Sequence, residues 1–202
     1  MTAALPPLSH AVHLCVDMQR LFAEPVGWQV AGLAAITPNI ARIASALPDR
    51  TIFARFTVPP SADAATGAWR GYYRHWSGIV AAVAADPGLI DLVPALEALS
   101  GPKEYLDKPT YSMFTAPDLD ARLAARGADT VILTGVETDI CVLATLVDAV
   151  ERGLHVIAIA DAMTSSDLAA HDATLSLILP RMPDQVTITD SATLMARLAQ
   201  NA

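Results

Sequence analysis

Apolar residues are distributed along the chain in two alternating patterns. Residues 11–17 (AVHLCVD), 130–134 (TVILT) and 154–160 (LHVIAIA) are short, nearly continuous apolar runs, which suits strands buried on both faces of a parallel sheet. Residues 51–57 (TIFARFT), 103–106 and 185–189 read as further strands, the last at a sheet edge. Between them lie stretches with helical spacing. These are residues 33–47, with Pro38 near the first turn; short pieces in 81–100, broken at Pro87-Gly88 and Pro94; 118–126, closed by Gly127; 139–152, closed by Gly153; 167–179; and 191–199. Strands alternating with helices predict an α/β fold with a mainly parallel sheet. No internal repeat or linker divides the chain, so residues 1–202 are expected to form one domain.

One segment breaks the alternation. Residues 58–78 (VPPSADAATGAWRGYYRHWSG) form an excursion over the sheet edge, polar and Pro/Gly-rich at its start and aromatic at its end. Trp69, Tyr72, Tyr73 and Trp76 are spaced i, i+3, i+4 and i+7, a single stripe on a helix. Such a stripe suits a substrate wall, and equally suits packing onto the body or onto a second subunit.

Composition narrows the class. At 202 residues and 53% hydrophobic, the chain can bury one substantial core. Its apolar stretches are interrupted before the roughly 18 residues that a membrane span needs, and the first ten residues lack a basic start and an apolar signal core, so a cytoplasmic protein with no membrane partner is expected. The net charge of −8 and the lack of a basic cluster disfavour nucleic acid and favour a small-molecule ligand. Two cysteines, Cys15 and Cys141, are too few for a disulfide framework. Only two of the 13 basic residues are lysines, Lys103 and Lys108. That makes Lys108 a choice of a compact ammonium over a planar fork, or chance.

The chemistry converges on strand ends. Cys15 lies inside the first strand and reads as core, whereas Cys141 falls in the first turn of the helix after residues 130–134. Thr138 or Asp139 is positioned to cap that helix, and its free amides and dipole favour a thiolate. Asp17 closes the first strand and Lys108 the third, so a carboxylate, an ammonium and a thiol are predicted at the carboxyl edge, where open α/β sheets bind ligands. A cysteine beside a proton acceptor and a cation is an arrangement for acyl transfer.

Three motifs in order, Val16-Asp17-Met18-Gln19, Asp107-Lys108-Pro109 before Tyr111-Ser112-Met113-Phe114, and residues 135–142 (GVETDICV), resemble the isochorismatase-like cysteine hydrolases. That group includes nicotinamidases, N-carbamoylsarcosine amidases and ureidoacrylate and biuret-type amidohydrolases. The resemblance implies a three-layer α/β/α Rossmann-like fold with six strands, an Asp17-Lys108-Cys141 triad, a cis peptide at Val136-Glu137, and oxyanion donors in the backbone amides of Glu137 and Cys141. It also implies homo-oligomers and a small amide or ureido substrate, cleaved through a thioester on Cys141. Metal-bearing members carry Asp-x-His and a later His after the second strand; here the chain reads Arg55-Phe56-Thr57-Val58-Pro59-Pro60 and the excursion holds only His75. No metal and no cofactor are expected, and nicotinamidase is disfavoured. Members that cleave a vinyl ether lack the cysteine, which argues against that activity.

Substrate contacts are assigned to Gln19, Phe22, Trp69, Tyr73, Trp76 and Glu137. Glu137 can read N–H donors of a ureido or amide group, or serve only as a solvated turn or an ion-pair partner of an arginine. Arg70 and Arg74 can meet a substrate carboxylate or lie on the surface. Asp161 and His171 are assigned to fixing backbone at the sheet edge. Hydrolysis of an ester, lactone or enol ether in the same site is the alternative chemistry, and a redox-responsive or ligand-binding role without turnover the alternative class. A dinucleotide-dependent oxidoreductase is disfavoured because no GxGxxG follows the first strand.

Overall fold

A computed structural model describes residues 5–99 and 103–200. The opening tetrapeptide, on which part of the reading of the N-terminus rests, and Ser100, at the end of the interrupted helical stretch, lie outside the described residues. Six strands, β1 (Ala11–Val16), β2 (Thr51–Phe56), β3 (Glu104–Lys108), β4 (Thr130–Val136), β5 (His155–Thr164) and β6 (Val186–Thr189), form one sheet in the order β3-β2-β1-β4-β5-β6. Every neighbouring pair is parallel. All residues of β1 and β4 are buried, because helices cover both faces of the sheet centre. This is the three-layer α/β/α arrangement.

Among the described residues nine α-helices accompany the sheet: α1 (Arg20–Ala23), α2 (Leu33–Ala46), α3 (Trp69–His75), α4 (Ser77–Ala85), α5 (Pro94–Glu97), α6 (Leu119–Ala125), α7 (Leu143–Glu151), α8 (Leu168–Ala173) and α9 (Ser191–Ala199). The longest of these helices, α2, buries Leu33, Ile36, Ile40 and Ile43 along one face and packs with α9 against β5. Among the described residues no helix is long and apolar enough to cross a membrane.

Several boundaries differ from the sequence reading. Pro38 lies inside α2, beyond its first turn. β3 runs on through Lys108, so that residue is part of the strand. β5 does not stop at Asp161: Leu133 pairs with Ala158 but Gly135 with Met163, so β5 bulges and continues to Thr164. Asp161 sits in that bulge and accepts hydrogen bonds from Ser191 N and Oγ, each at 2.7 Å, and from the Asn39 side chain. The expected helix over 139–152 splits into a π-helical turn, Thr138–Val142, and α7. The one over 167–179 splits into α8, a second π turn at Thr174–Ile178 and a 3-10 turn. In both places the apolar spacing continues while the backbone winding changes, and residue periodicity does not separate the two.

The sheet interior carries an imidazole that the apolar pattern conceals. His13 in β1 is fully buried, with Nδ1 3.1 Å from Thr51 Oγ1 and Nε2 2.8 Å from Thr134 Oγ1. Thr51 spends its own proton on the Leu47 carbonyl. Nδ1 is therefore the protonated nitrogen, and Nε2 accepts from Thr134. Burial depresses the His13 pKa to about 3, well under the ordinary value near 6.5. Below that ordinary value the unfolded chain takes up a proton that the folded chain refuses, so stability is lost as pH falls from about 6.5 toward 3. At pH 5 the loss is expected to reach about 2 kcal/mol relative to pH 7. Urea unfolding of wild type and His13→Gln at the two pH values checks this, and equal pH dependence in the two proteins would refute it.

Candidate active site

The site is assembled where the chain leaves β1, β3 and β4. Asp17 follows β1 with φ +51°, a left-handed conformation that Asp tolerates better than most residues. The turn takes the chain off the sheet and leaves the Asp17 side chain wholly buried. Lys108, at the end of β3, is also fully buried, and its Nζ lies 2.7 Å from Asp17 Oδ2. To reach Asp17 the ammonium crosses the end of β2, passing 4.6 Å from the centroid of the Phe56 ring, and it donates to the Thr110 carbonyl. The contact with Asp17 is an ion pair and not an aligned hydrogen bond, so both carboxylate oxygens lack a hydrogen-bond partner of good geometry.

β4 supplies the third group. Gly135 has φ +111°, and a Cβ on it would stand 2.0 Å from the Val16 carbonyl oxygen. Only glycine lets β4 approach the end of β1 this closely. The Val136–Glu137 peptide is cis. The Glu137 carbonyl then accepts from the amides of Ile140 and Val142, on either side of Cys141. Cys141 is 6% exposed. Its carbonyl accepts from Thr145 Oγ1, which in turn accepts from Met113 N, tying the turn to the segment after Lys108.

Neither predicted cap acts as one. The Thr138 hydroxyl meets His171 Nδ1 at 2.8 Å, and the Asp139 carboxylate accepts from Ser165 Oγ at 2.5 Å. Both side chains point across to the segment after β5, away from the amides of their own turn. His171 thus meets this turn through the Thr138 side chain, and not through backbone. The thiol also departs from expectation. Burial pushes the Cys141 pKa up, against the lowering effect of the Lys108 charge, so the resting state is a thiol. Burial likewise raises the Asp17 pKa, opposed by Lys108 and by the neighbouring Cys141. A buried thiol beside a carboxylate–ammonium pair is equipped to give up its proton during attack on an electrophile.

Cys141 opens onto a cavity of about 280 Å³, near the lower end of ligand sites and suited to a small compound. Phe22 and Trp76 line it, as assigned from sequence; so do Trp28, Phe56, Tyr72 and Tyr111. The polar lining comes from Glu137 and Ser166. The Glu137 carboxylate is half-buried and accepts from Ser166 N at 2.9 Å, in place of the arginine pairing considered for it.

Three substrate assignments are corrected. Gln19 is fully buried and serves the backbone: its Oε1 accepts from Phe56 N, and its Nε2 donates to the carbonyls of Phe56 and Ile90. Trp69 and Tyr73 line a separate cavity of about 200 Å³ with Thr110. The aromatic stripe divides because 69/73 and 72/76 are two i,i+4 pairs on adjoining faces of α3, each turned to a different cavity. Its rings pack onto the protein body, Tyr73 buried and Trp69, Tyr72 and Trp76 partly so. Arg70 and Arg74 also stay outside the pocket, bound to the Ala65 carbonyl and to Asp63.

Trp28 was missed altogether. It lies in an irregular stretch with no periodic signal, yet its ring is near those of Phe22, Phe56, Tyr72, Tyr73 and Trp76. A lone tryptophan shortly after Asp17 was the available cue. Among the described residues, no group of three or more His, Cys, Asp or Glu side chains is placed to hold a metal ion.

The family model of the isochorismatase domain matches residues 11–191. The phenazine biosynthesis protein PhzD1 of Pseudomonas aeruginosa is 31% identical over 180 residues, covering 88% of this chain and 82% of that protein. Maleamate amidohydrolase of Pseudomonas putida is 34% identical over 94 residues, 46% of this chain and 44% of that protein. The chain spans less than half the length of several curated relatives that it matches. Among solved structures, a cysteine hydrolase from Pseudomonas syringae pv. phaseolicola superposes with a TM-score of 0.83 at 26% identity, covering 100% of this chain and 98% of that one.

Proposed function

This chain belongs to the isochorismatase family of hydrolases, and from that premise we propose that it cleaves a C–N bond of a small amide or ureido compound with Cys141 as nucleophile. The observation that carries the reading is the buried Asp17–Lys108 pair beside the Cys141 thiol, at one end of a small aromatic pocket.

In this mechanism the Cys141 proton passes to Asp17 as Sγ attacks the carbonyl carbon. The carbonyl electrons move onto oxygen, and the backbone amides of Glu137 and Cys141 receive the oxyanion. Amides preset for such a charge are typically worth about 3 kcal/mol of barrier each. Collapse breaks the C–N bond; the departing amine takes the proton from Asp17 and leaves a thioester. Water then gives a proton to Asp17 and attacks the thioester, and collapse returns the sulfur and its proton to the resting thiol. The Lys108 charge opposes the burial that raises the Asp17 pKa and so favours the ionised carboxylate that receives the proton.

The kinship with an amidohydrolase supports C–N cleavage, and the fold-wide likeness to a cysteine hydrolase supports a cysteine nucleophile. The test is intact-protein mass spectrometry of rapidly quenched mixtures with matched amides, ureides and esters. An acyl adduct on Cys141 that forms in step with amine release, survives chelator and is absent from Cys141→Ala is the expected result. Full turnover by Cys141→Ala would sink the proposal, and adducts with esters alone would move the reaction to C–O bonds.

A further inference from the structure

Taking the acylation of Cys141 as its starting point, we propose that the pocket selects its substrate by charge: it accepts an amide with a cationic end and rejects an anionic one, and Glu137 with the rings of Trp28, Tyr72 and Trp76 receives the positive group.

Among the described residues, Glu137 is the only charged side chain that lines the cavity. The nearby cations are committed elsewhere. Lys108 is fully buried and neutralised by Asp17 at 2.7 Å. Arg70 donates to the Ala65 carbonyl, Arg74 pairs with Asp63, and Arg20 pairs with Glu24 and Asp86. His171 is held by Thr138, and the exposed His75 stands edge-on behind Trp76. An anionic amide of the maleamate kind would therefore meet no cation in the pocket, only a carboxylate. Burial of that anion next to Glu137 would be unfavourable by both desolvation and like-charge repulsion.

The same lining favours a cation. The Trp28 ring centroid lies 5.8 Å from that of Tyr72 and 6.0 Å from that of Trp76, with the rings inclined at 44° and 72°. Ring faces attract ammonium and guanidinium groups, most strongly where water is excluded. The Ser166 amide fixes one oxygen of Glu137 at 2.9 Å, and a carboxylate retains further acceptor sites for N–H donors. The phenols add no charge of their own: burial, reinforced by the neighbouring Cys141 and Glu137, holds the protons of Tyr72 and Tyr111 more tightly than usual.

Charge-matched methanethiosulfonates test the inference without requiring turnover. The trimethylammonium-ethyl, sulfonato-ethyl and methyl reagents are applied to wild type and Glu137→Gln, and Cys141 modification is followed by peptide mass. Cys15, fully buried, is the internal control. The cation-to-anion rate ratio is normalised to a free thiol, with the neutral reagent reporting access. The expected ratio is about tenfold or more in wild type and falls to within about threefold of unity in Glu137→Gln. An anionic reagent as fast as the cationic one, a ratio unchanged by Glu137→Gln, or failure of all three reagents to reach Cys141 overturns it. A reversed ratio in a protein that still forms the thioester sinks only the charge selection. Cationic preference in a protein that hydrolyses no amide sinks only the proposed reaction.

Discussion

Gly135→Ala is expected to lose more than about 4 kcal/mol of stability, the range reserved for forced rearrangement of a packed interior, and to purify poorly or not at all. Two independent effects act at this residue. The φ of +111° disfavours any L side chain, and the new Cβ would stand 2.0 Å from the Val16 carbonyl oxygen and 2.8 Å from its nitrogen and carbonyl carbon. Backbone atoms of a central strand cannot step aside as a flexible side chain can. Relief requires β4 to shift against β1 at the place where Val16 pairs with Gly135, which separates Asp17 from Cys141. Gly153→Ala is the control, because it shares a positive φ of +77° but meets nothing within 4 Å. That change should lose only about 1–2 kcal/mol, the cost of a left-handed L residue. Thermal unfolding of both variants decides the matter; a Gly135→Ala protein melting within a few degrees of Gly153→Ala would refute the steric account.

Lys108→Met is the second large effect, and its sign can be worked out. Burial raises the Asp17 pKa and the Lys108 charge is the largest influence that lowers it; removing the ammonium leaves burial opposed only by the contact with Cys141. The carboxyl then holds its proton to higher pH and cannot accept one from Cys141 near neutrality. Activity at pH 7 should fall by about 10²-fold or more, the usual reach of general acid–base catalysis, and the acid limb of kcat/KM should move to higher pH. Stability follows the same linkage. The folded chain would bind the Asp17 proton more tightly than the unfolded chain, so stability declines as pH rises from the ordinary carboxyl range through the raised folded value. Removing one partner of a buried pair typically costs about 3–5 kcal/mol, and here the deficit should be smallest in acid. An unmoved acid limb would show that Lys108 does not govern the ionisation of Asp17.

The alternation of apolar runs with helical spacing conveyed the fold, and three short motifs conveyed the placement of Asp17, Lys108 and Cys141 at strand ends. The pocket was less legible. Trp69 and Tyr73 share a helical stripe with Tyr72 and Trp76, but which half of a stripe faces a cavity depends on how the helix is rotated against the sheet. Gln19 follows Asp17 so closely that lining the pocket was a natural reading, whereas its amide turns inward to satisfy backbone. For Cys141 the helix start favours a thiolate while burial raises the thiol pKa, and depth of burial is a tertiary property.

Gln19 stands in for a strand neighbour at the end of β2. Pairing between β1 and β2 is recorded through Cys15 and Phe53, and β2 then runs on to Phe56 while the chain after β1 bends away. The Gln19 amide presents an acceptor to Phe56 N and a donor to Phe56 O, as a strand neighbour would. In effect, one side chain counterfeits a missing stretch of main chain. The left-handed bend at Asp17 can therefore open a hollow at the sheet edge without stranding polar backbone in the dry interior. A carboxylate in place of that amide would lack the donor, and an aliphatic residue would lack both halves of the forgery. The hollow is held open by a residue that never touches its contents.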